Sequence, residues 1–237
     1  MAESIHTIPV LNAIRKAEGC AFCAMKAQLE ADSIRFILGP AYMEDDVRME
    51  TNKIGFCKHH LKALYEEQNR LGLALMLHTH MQEINKKINK ASKNKIPRNF
   101  FSKSKDSAVA SINSVITSVN DSCYVCNKIE KTFKLYFETF ITLWKQSIDK
   151  ELFKSLNGFC LSHFSTLLSF VEKNGRSTTE KFTSEFFPRQ IEYMNTLEAD
   201  LDWFIQKFDF RNKDEPWKNS KDVLPRAIAL LGEGTIV

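Results

Sequence analysis

Cysteine and histidine recur in this chain at spacings that suit metal ligation. Cys20 and Cys23 form a CxxC pair and Cys57 and His60 a CxxH pair; Cys123 and Cys126 form a second CxxC, Cys160 and His163 a second CxxH. All six cysteines of the 237 residues take part. Two thiolates at this spacing reach one ion from a single helical turn, and a Cys and His on the first turn of another helix reach it from the opposite side. Three sulfurs and one imidazole match the tetrahedral preference of zinc and leave no coordination position for a substrate. Read within each half of the chain, the pattern predicts two zinc ions, one held by Cys20, Cys23, Cys57 and His60, the other by Cys123, Cys126, Cys160 and His163. An iron-sulfur cluster is the alternative cofactor, because thiolates with some histidine also hold clusters. Disulfides fit badly, since three cysteines per half leave one unpaired in each.

The four pairs are two copies of one pattern. Every member is displaced by 103 positions, and 33 residues separate Cys23 from Cys57 as they separate Cys126 from Cys160. Gly55 and Phe56 match Gly158 and Phe159 at the same offset, and Asp46 matches Asp149. Such a duplication makes each copy a control for the other. His59 corresponds to Ser162, so His60 is the ligand of the first copy.

Helices must position these side chains. Ile129, Phe133, Tyr136, Phe137, Phe140 and Trp144 follow Cys126 at intervals of three and four, the mark of one buried stripe. Phe164, Leu167, Leu168 and Val171 follow Cys160 in the same way and end at Gly175. The first copy repeats this with Met25, Leu29 and Phe36, a break at Gly39 and Pro40, then Leu61, Leu64, Leu71 and Leu75. His78 falls on that stripe and is expected to be buried. A last amphipathic helix runs from 189 through Ile191, Met194, Leu197, Leu201, Phe204, Ile205 and Phe208, and a short one ends at Gly232. The expected fold is all-α: two tandem helical hairpins, each stapled by a Cys/Cys/Cys/His metal site, plus a C-terminal helical segment. Residues 1–90 form the first stapled repeat, 91–106 a basic linker or loop, 107–175 the second repeat, and 176–237 C-terminal helices and tail packing on the repeats.

Charge is local. Lys86, Lys87, Lys90, Lys93, Lys95, Arg98, Lys103 and Lys105 fall in one stretch without an acid, so against a net charge of +4 the rest of the chain is net negative. This stretch, with Phe100 and Phe101, is the candidate nucleic-acid-binding segment of an alternative reading. The run Glu44, Asp45 and Asp46 reads as a solvated helix start. No glycine-rich phosphate loop, GxSxG elbow or HExxH sequence is present, so no catalytic residue is assigned. No apolar run reaches membrane-spanning length, and an export-type start is lacking, which predicts a cytoplasmic protein.

The paired CxxC and GFCxxH elements, with "FDFRNKDEPW" and the helix-like "RAIALLG" near the end, resemble an uncharacterised family of bacterial helical proteins with no known activity. The resemblance implies that the eight cysteine and histidine residues act together, and it implies no substrate. The resulting expectation is a zinc-binding protein-interaction or regulatory module in which the metal is structural. A nucleic-acid binder using residues 86–105 is the alternative, and an iron-sulfur or thiol-dependent redox protein the third reading.

Overall fold

The computed structural model describes residues 5–93 and 108–232. Among them are the helices α1 (Thr7–Lys16), α2 (Ala21–Leu38), α3 (Asp45–Ile54), α4 (Lys58–Glu66), α5 (Arg70–Ser92), α6 (Ala108–Asn120), α7 (Tyr124–Lys145), α8 (Lys150–Lys154), α9 (Leu161–Lys173), α10 (Arg176–Gln206) and α11 (Val223–Leu231), and no strand. The chain divides into two compact units, one of Met1–Gln28 with Thr132–Val237 and one of Leu29–Lys131. The division falls inside α2 and inside α7, not between the two sequence copies.

The unit of residues 29–131 has an aliphatic core. Ile37, Leu64 and Met76 are sealed there beside Val125, from the start of α7. Burial of each such side chain is worth about 1.5–3 kcal/mol. On α5 the buried positions include Leu73, Met76 and His80, at helical spacing. His78 therefore faces away and is exposed, contrary to the expectation from sequence. It is His80 that is buried, with Nδ1 2.8 Å from the Asn52 carbonyl oxygen.

The other unit has an aromatic core. Phe22 of α2 stacks on Phe137 of α7 with ring centroids 4.1 Å apart, and Phe140, Phe159, Phe182 and Phe186 are equally buried. A side chain of the first copy thus sits among side chains of the second. Sequence periodicity leaves residues 176–188 without a helix, but the chain turns at Gly175, with φ +91°, and starts α10 at once. α10 continues through Pro188, which removes one hydrogen bond from the helix ladder.

The tail that follows α10 folds back on it. The buried Lys207 ammonium donates to the carbonyls of Asn212, Lys213 and Glu215 at 2.5, 3.0 and 2.6 Å. Trp203 Nε1 donates to the Pro216 carbonyl at 3.0 Å, and Lys218 lies 3.9 Å from the Trp203 ring centroid. A buried ammonium needs this full set of acceptors, because a charge left without partners in the interior is strongly disfavoured. Trp217 packs against Phe204 at 5.9 Å. These aromatic and basic residues are thereby used within the fold. No described helix is long and apolar enough to cross a membrane.

Candidate metal centres

All four motifs begin a helix in the same way. Cys20, Cys57, Cys123 and Cys160 immediately precede α2, α4, α7 and α9, and Cys23, His60, Cys126 and His163 are the third residues of those helices. The carbonyls of Cys57, Cys123 and Cys160 accept the first helical bonds, from Leu61, Asn127 and Phe164, at 2.8, 3.1 and 2.9 Å. The Cys126 amide also points at Cys123 Sγ, at 3.5 Å. Unpaired amides at a helix start favour negative charge, so each motif presents sulfur where a thiolate is stabilised.

These helix starts meet in two groups. In the unit holding residues 132–237, His163 Nδ1 lies 3.1 Å from Cys160 Sγ, 3.3 Å from Cys23 Sγ and 3.6 Å from Cys20 Sγ, and the sulfurs of Cys23 and Cys160 are 3.6 Å apart. In the unit of residues 29–131, His60 Nδ1 lies 3.2 Å from Cys57 Sγ, 3.2 Å from Cys123 Sγ and 3.4 Å from Cys126 Sγ, and the sulfurs of Cys57 and Cys126 are 3.9 Å apart. Within each group all four ligand atoms fall within 4.8 Å of one another. A regular tetrahedron with metal–sulfur bonds of about 2.3 Å and metal–nitrogen bonds of about 2.0–2.1 Å has S···S edges of about 3.8 Å and S···N edges of about 3.5 Å. Both groups approach those edges without a disulfide, all six cysteines being free. The two Cys/Cys/Cys/His groups are thus compatible with metal binding.

The partners within each group differ from the expected ones. The CxxC of the first copy faces the CxxH of the second, and the CxxC of the second faces the CxxH of the first. Helix lengths are in keeping with the exchange. Eighteen residues of α2 span about 27 Å, whereas the ten residues of α3 span only about 15 Å. In the second copy α7 has 22 residues and α8 five, so the disparity is larger.

Three sulfurs so close together oppose one another's ionisation. Hydrogen bonds from Cys160 and Cys23, then burial and like-charge repulsion, push the Cys20 thiol far up. Burial, followed by the neighbouring Cys123, pushes Cys126 up to about 12. Cys57 is the exception: burial raises it, but the His60 amide and the thiols of Cys123 and Cys126 outweigh that and leave it below the ordinary thiol value. For His163 burial favours the neutral ring, yet hydrogen bonding to Cys160 and Cys23 prevails and pushes it up to about 9. A dication at the common centre removes this conflict, since its charge offsets several thiolates at once.

Backbone contacts lock the motifs in place. The Tyr124 amide donates to the Gly55 carbonyl at 2.9 Å and the Ser122 hydroxyl to the Ile54 carbonyl at 2.6 Å, tying the second CxxC to the first GFC. Gly55 has φ +73°, and a Cβ there would lie 2.3 Å from His80 Nε2, so both backbone and space demand glycine. In the other unit the buried Gln190 side chain accepts from the Phe159 amide at 2.8 Å and donates to its carbonyl at 2.9 Å. Sequence reasoning missed Gln190, because nothing in its spacing marks it.

The groups differ in their surroundings. His60 Nε2 is 3.0 Å from Glu30 Oε1, near enough for an ion pair though not aligned for a full hydrogen bond, and His59 Nε2 is 2.5 Å from the same oxygen. His163 is surrounded instead by Phe133, Phe22 and Phe137, with centroids at 5.3, 6.1 and 6.3 Å, and its buried Nε2 has no hydrogen-bond partner. Cys20, Cys23 and Cys160 also line a cavity of about 440 Å³ with Tyr193 and Arg226.

Of the basic residues singled out above, Lys86, Lys87 and Lys90 lie on the last turns of α5 and Lys93 just past its end, Lys87 within 4.0 Å of Glu83. Lys95, Arg98, Lys103 and Lys105 lie outside the described residues, as does most of the 91–106 linker. Asp45 and Asp46 open α3, where the helix dipole favours them.

A family model described as a family of unknown function (DUF6062) matches residues 1–236. No curated protein and no solved structure matches the chain.

Proposed function

We propose that this chain, which belongs to the DUF6062 family of unknown function, binds two zinc ions as structural crosslinks between its two sequence copies and acts by engaging a protein partner. The observation that carries the metal reading is the near-tetrahedral set of separations around both Nδ1 atoms, 3.1–3.6 Å in one group and 3.2–3.4 Å in the other. Four ligand atoms within 4.8 Å of one another suit a single ion. In an iron-sulfur cluster the protein ligands are distributed over two or more irons, so four donors converging on one point favour a single ion over a cluster. Zinc, when bound, supplies charge neutralisation and a crosslink, and four protein ligands leave it no position for a substrate. Elemental analysis of the purified protein, combined with its absorption spectrum, tests this: the expected result is two zinc atoms per chain and no visible colour. Stoichiometric iron with visible absorption, or no metal at all, would overturn it.

The partner reading draws on two apolar rows left uncovered on the unit that carries α10 and α11. Phe187, Ile191 and Met194 are exposed along α10, and Leu224, Ile228 and Leu231 along α11, each set at positions i, i+4 and i+7. Helices that display such rows dock against apolar surfaces of other proteins. Affinity capture with the zinc-loaded protein and its Ile191→Glu and Ile228→Glu variants is the check. A bound protein that both variants lose is expected; identical capture by all three, or none by the native chain, counts against the idea.

A further inference from the structure

We infer that Glu30 is a positioning residue that makes the centre of Cys57, His60, Cys123 and Cys126 the tighter of the two, and that Phe133 marks the place where the other centre lacks this support. The inference rests on reading both groups as metal centres.

The duplication supplies the comparison. Glu30 and Phe133 are 103 positions apart, the same offset that relates the ligands, so they are one site in the two copies. Each approaches the histidine of its own copy: Glu30 Oε1 lies 3.0 Å from His60 Nε2, and the Phe133 ring lies 5.3 Å from the His163 ring. Both histidines turn Nδ1 to the sulfurs, which leaves Nε2 to carry the proton of the neutral, ligating ring. The two copies meet that N–H with opposite chemistry, a carboxylate in one and a hydrocarbon ring in the other.

Two effects follow, and both have the same sign. A carboxylate 3.0 Å from Nε2 polarises the imidazole electrostatically and strengthens Nδ1 as a donor. Neither Nε2 has an aligned hydrogen-bond acceptor, but metal binding at Nδ1 makes the ring more positive, and only His60 has a carboxylate 3.0 Å away to offset that charge, where His163 has phenyl rings. Glu30 is itself held, because His59 Nε2 lies on the same carboxylate oxygen at 2.5 Å. His59 has Ser162 as its counterpart, so carboxylate and second imidazole are absent together from the second copy. Solvent exposure alone argues for the opposite order, since Cys126 is exposed and Cys160 buried. Exposure governs how fast a chelator arrives, whereas the carboxylate governs equilibrium affinity.

Equilibrium competition between the full-length, zinc-loaded protein and a chromophoric chelator separates the two. Cysteine alkylation read by peptide mass spectrometry identifies which quartet has emptied. In the native protein Cys20, Cys23 and Cys160 should lose protection at lower chelator concentration than Cys57, Cys123 and Cys126. Glu30→Gln should weaken the second set by about 10–100-fold and leave the first unchanged. His59→Ala, which removes the neighbour that holds Glu30 but leaves the carboxylate itself, should weaken the second set less than Glu30→Gln does and leave the first unchanged. After full demetallation the melting temperature of Glu30→Gln should match that of the native metal-free chain, which a purely structural role for Glu30 would not allow. Prior emptying of the His60 quartet in the native protein, or a Glu30→Gln effect that is absent or equal at both quartets, overturns the inference. A native chain that takes up no zinc overturns instead the reading on which it rests.

Discussion

A chain carrying Cys23→Ser and Cys160→Ser together should retain one tightly held metal ion, whereas one carrying Cys23→Ser and Cys57→Ser should retain none. The first pair of changes falls within a single quartet, Cys20, Cys23, Cys160 and His163, and leaves the other complete. The second pair removes one ligand from each quartet. If a structural zinc site contributes about 10–16 kcal/mol through four ligands, one ligand is worth roughly 3 kcal/mol, or about 10²-fold in affinity. Counting zinc retained against a competing chelator therefore distinguishes one from zero. Pairing within each sequence copy demands the reverse, because Cys23 and Cys57 would then share a site and Cys23 and Cys160 would not. That reverse result would contradict the observed grouping.

Complete removal of metal should lower the melting temperature by about 20 °C or more. The reasoning starts from the binding energy above, of which even the lower bound rivals the whole stability of an ordinary domain. For a chain of this size each kcal/mol corresponds to about 2–4 °C. Locally, the loss is greatest where helix starts are brought together. Without an ion, ionisation is opposed at Cys20, by hydrogen bonding with Cys160 and Cys23, burial and then like-charge repulsion, and at Cys126, by burial and then the neighbouring Cys123. Burial of Cys123 and Cys160 makes that conflict harder to relieve by solvent. Differential scanning calorimetry of the native chain before and after chelation, followed by zinc re-addition, measures the shift and its recovery. A melting curve unchanged by full demetallation would show that the two quartets contribute nothing to stability.

The members of the two Cys/Cys/Cys/His groups are legible in the sequence because their spacing is a property of local structure. A Cys before a helix and a second ligand at its third residue reach one point in space whatever the rest of the chain does, so Cys20, Cys23, Cys57, His60, Cys123, Cys126, Cys160 and His163 could all be named from two repeated motifs. The all-helical class followed from periodicities such as Phe133, Phe137, Phe140 and Trp144, which survive in α7. His78 was misplaced for a related reason: several phases of an apolar stripe fit α5, and only the packing that buries Leu73, Met76 and His80 selects among them. Glu30 was readable in principle, since the 103-residue offset sets it against Phe133, but its importance depends on the ring it touches.

By itself, then, the sequence determined the all-helical class and which eight cysteine and histidine side chains recur at one spacing. Tertiary structure decided which CxxC meets which CxxH, what surrounds each imidazole and which faces remain uncovered. The physical reason is range. Capping, ligand spacing and periodicity act over one or two helical turns and are written in neighbouring residues. The pairing of motifs depends instead on where an eighteen-residue and a 22-residue helix deliver the chain, and identical copies of a motif carry no label saying which partner to take.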